Sequence, residues 1–428
     1  MLSNKYKING NITLPGDKSI AHRVLILLSM IKGNHIIKNV PQNKDIDTTL
    51  SILNQFGLLY QNCGNDRLSI NSNNMEFKDL TINCNDSGTT ARLMCGLIAG
   101  LNINCKIYGS KSLSKRPMSR IIDPLTDFGV TIKSNKGLLP IEIKKNNTKK
   151  IGFDYNLKIA SAQVKSALML YALNINKDCT IKGKIHTRDH LENLLKFSKY
   201  PISIEKNTIR LNKGKLVESN WSIGIPGDIS SASFLIAATV LLKKSDLIIK
   251  QIGINKYRMG FINKLIEMGA NIDVDSYLNP QGEEEGTIYV KHSKSLKGIT
   301  VNPEEVPSMI DEIPIFCVVA AFAKTKTIIK GVNELKFKES DRIKSIIENF
   351  KSMGGLIDIN NDNLVITPTN NLYNTNIKSF SDHRIFMSFY IANLALGTFY
   401  SDTLSEQCYD KSFKNFIDIM KEIVHENV

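Results

Sequence analysis

The sequence predicts a mixed α/β protein made of two similar domains, each built from three repeats. The first observation is a duplicated turn: residues 14–23 (LPGDKSIAHR) and 225–234 (IPGDISSASF) align without a gap at an offset of 211 in a chain of 428 residues. The second is a serine junction between a strand-like run and an apolar helix, which recurs at intervals of 68 to 78 residues. The junction serines are Ser19, Ser87, Ser161, Ser230, Ser308 and Ser381.

Each repeat has the pattern of a strand, a capped helix and further strands. Serine, aspartate and threonine are preferred helix N-caps, because their side chains accept hydrogen bonds from the N–H groups of the first turn. The apolar residues that follow recur at three- and four-residue spacing, the pattern of a buried helix. Runs rich in valine and isoleucine, such as 129–133 (GVTIK) and 327–331 (TIIKG), predict short strands. We therefore expect three main helices inside a layer of sheet in each domain.

Composition indicates a cytoplasmic globular protein. Hydrophobic residues make up 42% and charged residues 22% of the chain, and no apolar run reaches the length of a transmembrane helix. The first ten residues, MLSNKYKING, lack the apolar core of a signal peptide. The seven cysteines contain no CxxC pair, so we expect a reducing compartment and neither a disulfide framework nor a zinc site.

The net charge of +14 admits three interpretations. A solvated lysine surface explains most of it, because the composition favours lysine throughout. Nucleic-acid binding is disfavoured, because the lysines are dispersed and no basic run is interleaved with aromatic residues. Anionic small substrates are the third interpretation. Only ten of the 55 basic residues are arginine, which grips a carboxylate or phosphate at two points as lysine cannot, so each arginine is informative.

The two copies of the duplicated turn differ in charge. Proline, glycine, aspartate and serine repeat in both copies, which indicates the same strand-to-helix turn. Lys18 and Arg23 of the first copy are replaced by Ile229 and Phe234 in the second. A helix start already offers N–H donors and a partial positive charge to an anion. We therefore expect the first copy to meet an anionic ligand that the second copy does not.

Four further charged segments carry candidate chemistry: 115–118 (KRPM), 338–342 (KESDR), 381–384 (SDHR) and 408–416 (CYDKSFKNF). Taken singly, each is typical of a solvated surface or of an ion pair between neighbouring helix residues. Their order along a six-unit α/β repeat favours a common site.

Together these motifs resemble those of one enzyme family. PGDKSxxHR, DSGTTxR, KRPM, SAQVKSA, PGDxSSA, KESDR, SDHR and a final KSF are similar to the motifs of the 5-enolpyruvylshikimate-3-phosphate (EPSP) synthase, or 3-phosphoshikimate 1-carboxyvinyltransferase, family, in its order from about residue 8 to residue 416. The resemblance implies one domain of residues 15–227 and a second of residues 1–14 and 228–428. Each would contain three βαβαββ-type units in an enolpyruvyl transferase-like inside-out barrel, with the active site in the cleft between them.

The resemblance also implies the reaction. Members of the family transfer the enolpyruvyl group of phosphoenolpyruvate to the 5-hydroxyl of shikimate 3-phosphate and release phosphate, in the shikimate pathway to chorismate and the aromatic amino acids. No cofactor, metal, nucleic acid or membrane partner is implied. We expect a monomer, and glyphosate is a candidate inhibitor.

Two sets of residues match the family's substrate contacts. The set expected to bind shikimate 3-phosphate comprises Lys18, Ser19, Arg23, Ser161, Ala162, Gln163, Arg188, Asp311 and Lys338. The set expected to bind phosphoenolpyruvate comprises Lys18, Gly88, Thr89, Arg92, Arg116, Gln163, Arg342, Arg384 and Lys411. Ala162 stands where many members have a second serine, so one hydroxyl contact to the phosphate is missing.

Addition followed by elimination needs a base for the 5-hydroxyl and an acid for the methylene carbon. The resemblance gives these roles to Asp311 and Glu339, with Lys18 as a further proton carrier. We expect His383 and Asp47 to support these groups without touching substrate.

Two alternatives stay open. UDP-N-acetylglucosamine 1-carboxyvinyltransferase shares the fold, the donor and the reaction, but it usually carries a loop cysteine near the position of Arg116, and no cysteine lies between Cys105 and Cys179. A non-catalytic basic module that binds nucleic acid is the alternative of a different class. Such a module would show no turnover and a steep dependence on salt.

Overall fold

The computed structural model describes residues 2–400 and 408–427, and their contacts divide the chain into two compact units. The central unit comprises Gly16–Ile225 and the short segment Leu278–Glu283. The terminal unit comprises the residues up to Pro15, the range Pro226–Tyr277 and the described residues from Glu284 onward.

The first strand, β1 (Tyr6–Thr13), belongs to the terminal unit. The elements of the central unit follow in chain order: α1 (Lys18–Leu28), β2 (Asn34–Lys38), α2 (Lys44–Gln55), β3 (Leu59–Asn62), β4 (Leu68–Asn71), β5 (Leu80–Asn83), α3 (Gly88–Leu101), β6 (Cys105–Tyr108), α4 (Ser119–Asp127), β7 (Thr131–Asn135), β8 (Leu138–Lys144), β9 (Asp154–Leu157), α5 (Ala162–Ile175), β10 (Cys179–Gly183), α6 (His190–Phe197), β11 (Ile202–Glu205), β12 (Thr208–Leu211) and β13 (Ser222–Gly224).

The remaining described elements are α7 (Ile229–Leu241), β14 (Asp246–Gly253), α8 (Gly260–Glu267), β15 (Asn271–Leu278), β16 (Glu284–Lys291), β17 (Thr300–Val301), α9 (Ile313–Ala321), β18 (Thr327–Ile329), α10 (Arg342–Ser352), β19 (Leu356–Asn360), β20 (Asn363–Thr367), α11 (His383–Ala395), α12 (Phe416–Ile423) and β21 (Val424–Glu426). All lie in the terminal unit except the last residue of β15.

The sheets of the central unit repeat one pattern of hydrogen bonds. In the first, β5 pairs parallel with β6, β6 antiparallel with β8, and β8 antiparallel with β7. The second sheet, β9-β10-β12-β11, has the same sequence of parallel and antiparallel pairs. In the third, β13 pairs parallel with β2 and so supplies the strand that the first repeat lacks. The central unit therefore consists of three βαβαββ repeats.

Each of these repeats has one buried helix and one amphipathic helix. Nearly every residue of α1, α3 and α5 is buried, whereas α2, α4 and α6 bury one face. Helices α3 and α5 pack so closely that a Cβ on Gly96 would lie 2.1 Å from the carbonyl oxygen of Ala167. The buried helices form a hydrophobic core that belongs to this unit alone, and polar side chains collect at their N-termini.

The terminal unit repeats the pattern with one difference. Its sheets are β15-β16-β14-β1-β21 and β17-β18-β20-β19, and α7, α9 and α11 are buried along their whole length. Among the described residues after β20, α11, α12 and β21 are present, and β21 adds to the five-stranded sheet beside β1. The predicted mixed α/β class is confirmed, but the sixth repeat builds no four-stranded sheet of its own within the described residues.

Two details correct the sequence prediction. Ser308 is not a helix cap, because it ends a short 3-10 helix and α9 begins only at Ile313. Pro314 lies in the first turn of α9, a position at which helices tolerate proline. The segment Leu278–Glu283, predicted in the other domain, belongs to the central unit, where Glu283 pairs with His190 at 3.0 Å. No helix in the described part of the chain has the length and hydrophobicity needed to cross a membrane.

Candidate active site

The predicted site residues form two groups, one in each unit. The central group comprises Lys18, Ser19, Arg23, Asp47, Gly88, Thr89, Arg92, Arg116, Ser161, Ala162, Gln163 and Arg188. The terminal group comprises Asp311, Lys338, Glu339, Arg342, His383, Arg384 and Lys411. Most members of both groups lie at or near the N-terminus of a helix, where unpaired backbone N–H groups favour negative charge.

Lys18 is the first residue of α1 and is paired with a carboxylate. Asp17 caps this helix by accepting a hydrogen bond from the backbone N–H of Ile20 at 3.0 Å. The Nζ of Lys18 lies 2.9 Å from Oδ2 of Asp45 on α2. Asp47, expected in a supporting role, is exposed, because residues two apart face different sides of a helix. Asp45, which the sequence motifs did not identify, is thus a carboxylate of α2 that contacts Lys18, and the supporting role of Asp47 stays a prediction.

Arg23 lies in the second turn of α1 and is 2% exposed. Its guanidinium donates to the carbonyl of Ser19 at 2.8 Å, to the hydroxyl of Ser166 at 3.0 Å and to the carbonyl of Ala162 at 3.3 Å. All three acceptors are uncharged. Burial, followed by repulsion from Arg188, lowers the pKa of Arg23 to about 10. A bound anion would relieve both effects.

Arg188 donates from Nη1 to the hydroxyl of Ser19 at 3.3 Å. The loop that carries it is held by Lys165, whose Nζ donates to the carbonyl of Thr187 at 2.8 Å. Lys165 also pairs with Glu192 at 2.6 Å, and both side chains are 1% exposed. Lys165 was part of the SAQVKSA motif but received no role from it. The available signal was a lysine in the first turn of a helix whose other residues are mostly apolar.

The starts of α3 and α5 are joined through Gln163. Ser87 caps α3 by accepting from the backbone N–H of Thr90 at 3.2 Å. The Gln163 amide donates to the hydroxyl of Thr89 at 2.9 Å, and its carbonyl oxygen accepts from Nη1 of Arg92 at 3.1 Å. Gln163 thereby fixes one threonine and one arginine of the expected phosphoenolpyruvate side.

Ser161 and Ala162 complete the start of α5. The Ser161 hydroxyl caps the helix by accepting from the backbone N–H of Val164 at 3.4 Å. Ala162 contributes its carbonyl, which accepts from Arg23. The missing hydroxyl at position 162 therefore leaves a backbone contact in place.

Arg92 and Arg116 surround Gly88. Arg92 donates to the carbonyls of Gly88 and Pro117, both at 3.3 Å. Burial, followed by the charge of Arg116, lowers the pKa of Arg92 to about 10. A Cβ at position 88 would lie 2.7 Å from Nη1 of Arg92 and 3.4 Å from Nη1 of Arg116. Glycine therefore leaves the Arg92 guanidinium space that the methyl group of alanine would occupy, whereas the distance to Arg116 allows an ordinary contact.

Arg116 supplies donors that the described part of the protein does not satisfy. The residue is 9% exposed, and its Nε and Nη2 atoms are buried without a hydrogen-bond partner among the described residues. A buried guanidinium N–H without an acceptor is costly, because its hydration is lost and not replaced. An anionic ligand is the complement that would satisfy these donors.

The terminal group is organised around carboxylates. Oδ1 of Asp311 accepts from Nζ of Lys338 and from Nη1 of Arg342, both at 3.2 Å. Arg342 also grips Asp382, with Nε to Oδ2 at 2.9 Å and Nη2 to Oδ1 at 3.4 Å. The two side chains of that second pair are 3% and 0% exposed, so it is a buried, two-point ion pair.

The ion pairs change the titration of Arg342 and Asp382. Burial alone would lower the pKa of Arg342, but the carboxylates of Asp382, Asp311 and Glu339 outweigh burial and raise it. Burial alone would raise the pKa of Asp382, but the guanidinium of Arg342 outweighs burial and lowers it. Both groups are therefore held in their charged forms.

Glu339 forms a hydrogen bond with His383, the first residue of α11. Nδ1 of His383 lies 2.7 Å from Oε2 of Glu339, and a proton on Nδ1 makes this a donation to the carboxylate. Nε2 of His383 is buried and finds no partner within the described ranges. His383 thus orients Glu339, which is 17% exposed at its side chain.

Arg384 and Lys411 supply the remaining cations. Arg384 donates from Nη1 to the carbonyl of Asp311 at 3.1 Å and lies 3.4 Å from Oε1 of Glu312. Lys411 donates to the carbonyl of Ser381 at 3.3 Å, in the turn that precedes α11. Glu312 had no role in the sequence prediction.

Glu339, Asp382 and His383 are of the residue types that bind metals, and one ligand atom of each lies within 4.8 Å of the others. They do not fit a metal ion well, because both oxygens of Asp382 already face the guanidinium of Arg342, whose charge repels a cation. The absence of a metal requirement stays a prediction.

A family model described as EPSP synthase (3-phosphoshikimate 1-carboxyvinyltransferase) matches residues 2–420. A curated protein of that second name from Clostridium tetani is 38% identical, over 99% of this chain and 96% of its own. Another from Thermodesulfovibrio yellowstonii is 38% identical, over 97% of each chain.

Solved structures extend this likeness. EPSP synthase from Acinetobacter baumannii superposes with a TM-score of 0.84 at 30% identity and covers 100% of this chain and 99% of its own. The enolpyruvyl transferase NikO from Streptomyces tendae reaches a TM-score of 0.76 at 13% identity, over 99% of each chain, and is a likeness of fold alone.

Proposed function

The chain belongs to the EPSP synthase family, and from this premise we propose that the protein is a 3-phosphoshikimate 1-carboxyvinyltransferase. It transfers the enolpyruvyl group of phosphoenolpyruvate to the 5-hydroxyl of shikimate 3-phosphate and releases phosphate. The reaction belongs to the shikimate pathway of aromatic amino acid biosynthesis.

One geometric observation carries most of this proposal. Nε and Nη2 of Arg116 are buried donors without an acceptor in the described chain, beside a second guanidinium, that of Arg92. Two arginines so close repel each other, and a doubly charged anion between them would turn repulsion into attraction. We assign the phosphoenolpyruvate anion to this pair, with Gly88, Thr89 and Lys18 beside them.

The shikimate 3-phosphate anion fits the other arginine pair of the central group. Arg23 and Arg188 repel each other and both donate to Ser19, through its carbonyl and its hydroxyl respectively. We assign the 3-phosphate to these residues together with Ser161 and Gln163.

The terminal group supplies the proton transfers. In the addition step, the 5-hydroxyl oxygen bonds to C2 of phosphoenolpyruvate, the hydroxyl proton passes to a base and C3 gains a proton from an acid. In the elimination step, C3 loses a proton, the C2–O bond to phosphate breaks, and phosphate leaves. We assign Asp311 to the hydroxyl, Glu339 to C3, and Lys18 to a supporting proton transfer. Arg342, Arg384, Lys338 and Lys411 stabilise the charges that develop. Arg384 also contacts phosphoenolpyruvate, as the family resemblance implies.

This division of labour requires both groups to act on one pair of substrates, in a cleft between the domains. We propose that substrate binding closes this cleft, that the protein acts as a cytoplasmic monomer, and that glyphosate competes with phosphoenolpyruvate. Small-angle scattering with and without shikimate 3-phosphate tests closure and monomer state, because a monomer that closes becomes more compact at unchanged mass.

The decisive experiment is a phosphate-release assay with both substrates, each substrate alone, and glyphosate as a further arm. We expect release only when both substrates are present. Replacement of shikimate 3-phosphate by UDP-N-acetylglucosamine tests the sister reaction, and turnover there would overturn the assignment. Arg210→Ala is a suitable control, because Arg210 is an exposed arginine of the central unit that pairs with Glu205.

A further inference from the structure

In both copies of the duplicated turn, the matching serine hydroxyl accepts a hydrogen bond from an arginine. In the first copy, the Ser19 hydroxyl accepts from an arginine elsewhere in the chain, Arg188, at 3.3 Å. In the second copy, the matching Ser230 hydroxyl accepts from Nη2 of Arg258, which also lies 3.2 Å from Oδ1 of the helix cap Asp228. The second copy therefore has its own cation after all, supplied by another segment.

The two copies differ in the acceptor to which the serine hydroxyl donates its proton. A hydroxyl has one proton to donate, and that of Ser230 goes to Oε1 of Glu312. Glu312 is 3% exposed and comes directly before α9. In the terminal unit, the Glu312 carboxylate thus lies beside Ser230. In the central unit, we assign the matching position beside Ser19 to a phosphate of the ligand.

The same oxygen of Glu312 lies 3.4 Å from Nη1 of Arg384. That guanidinium also donates to the carbonyl of Asp311 at 3.1 Å. Two acceptors on consecutive residues fix the plane of a guanidinium better than one can, and the carboxylate offsets the cost of burying its charge. Arg384 is 7% exposed, so its orientation is set by these contacts more than by water.

We infer that Glu312 is a positioning residue for Arg384, held by a relay that runs from Asp228 through Arg258 and Ser230. The inference rests on the proposed function, in which Arg384 contacts phosphoenolpyruvate. It accounts for the apolar second copy of the turn: its serine and aspartate are retained because they hold a carboxylate that orients an arginine of the site.

The test compares Glu312→Ala, Glu312→Gln and Ser230→Ala in steady-state kinetics with each substrate varied in turn. We expect Glu312→Ala to raise the KM for phosphoenolpyruvate roughly tenfold or more, the effect of one charge-assisted hydrogen bond. The KM for shikimate 3-phosphate should change less than about twofold. Glu312→Gln should recover most of the loss, because its amide oxygen still accepts from Arg384, and Ser230→Ala should fall between the two.

Glu284→Ala, at an exposed position of the same unit, is the matched control. An unchanged KM for phosphoenolpyruvate in folded Glu312→Ala would overturn the inference, as would an equal rise in both KM values that glutamine does not reverse. If Glu312→Ala fails to fold, Ser230→Ala decides, because it removes a single hydroxyl. A wild-type protein without turnover would count against the proposed function instead.

Discussion

The central and terminal groups use arginine in opposite ways. In the central group, Arg23 and Arg92 donate to carbonyl, hydroxyl and amide oxygens, and burial with a neighbouring arginine lowers the pKa of each to about 10. In the terminal group, Arg342 and Arg384 face carboxylates, and the pKa of Arg342 is raised. The first arrangement leaves positive charge for a ligand, whereas the second uses it to hold carboxylates in place.

This contrast separates binding from proton transfer. Anion affinity needs cations that the protein has not neutralised, because a neutralised cation gains little from a ligand. Proton transfer needs carboxylates whose position and charge are controlled, which takes cations in direct contact with them. Loss of an anion-binding cation such as Arg116 and loss of a proton-transfer carboxylate such as Asp311 should therefore affect different kinetic parameters.

The largest effect is expected from loss of Arg116, because its buried donors have no acceptor among the residues that the structure describes. We expect Arg116→Ala to lower kcat/KM for phosphoenolpyruvate on the order of 10⁴-fold, since each lost donor to a developing anion costs about 10² to 10³. The fold should be retained, because Arg116 forms no ion pair with the described residues that its removal would break. Steady-state kinetics and thermal unfolding measure both, and near wild-type turnover would remove the central group from the mechanism.

Replacement of Asp311 by asparagine should affect kcat more than KM. We expect kcat to fall by about 10² to 10³, within the range of general acid–base catalysis. Lys338 and Arg342 lose the charge of Asp311, although Arg342 keeps its ion pair with Asp382, so some gain in anion binding accompanies the loss of kcat. Asp358→Asn, at an exposed strand position, is the control. A pure KM effect would show that Asp311 binds substrate without moving a proton.

Acid should weaken the terminal unit first. The folded pKa of Asp382 is lowered, so its stabilising ion pair is fully present above the unfolded value near 4 and is lost as pH falls through the folded pKa. Arg23 and Arg92 stay charged throughout that range. Trp221, the single tryptophan, is buried in the central unit. The acid transition seen by far-UV circular dichroism should therefore start at a higher pH than the Trp221 fluorescence transition, and coincident transitions would contradict this.

A smaller effect is expected from Gly88→Ala. The new Cβ would meet Nη1 of Arg92 at 2.7 Å, so the guanidinium must shift by several tenths of an ångström. We expect the KM for phosphoenolpyruvate and the inhibition constant for glyphosate to rise, roughly three- to tenfold, for a loss near 1 kcal/mol. The KM for shikimate 3-phosphate serves as the internal reference, and a parallel rise there would show a general distortion.

The smallest expected effect is that of a chelator. Glu339, Asp382 and His383 are close enough for a metal, but Arg342 opposes one. Dialysis against EDTA should leave turnover unchanged, and a loss restored by a divalent cation would assign these three residues to a metal site.

The sequence predicted the features that depend on neighbours along the chain. Helix caps, the repeat period and the duplicated turn follow from a few adjacent residues, and capping by Asp17, Ser87 and Ser161 confirms that reasoning. Because arginine is scarce in this sequence, the arginines of the motifs could be predicted as anion-binding cations. The displaced start of α9 was the local failure, since Pro314 fixed the helix start five residues after the expected cap.

Partners distant in sequence could not be read from motifs. Asp45 beside Lys18, Lys165 beneath Arg188, and Glu312 beside Arg384 each depend on which face of a helix is turned towards another element. Likewise β13 pairs with β2, although the paired residues are 186 positions apart: Ser222 pairs with Ile36, and Gly224 pairs with Lys38.

The sequence alone therefore determined where positive charge and carboxylates are carried, since residue type and local turn geometry are written in adjacent letters. Only the tertiary structure decided which of those charges are neutralised. Within the described chain, burial and long-range pairing leave Arg116 with unsatisfied donors, whereas Arg342 pairs with two aspartates. The physical reason is that the free energy of a charge depends on the dielectric and on the partners within a few ångströms, which only folding supplies.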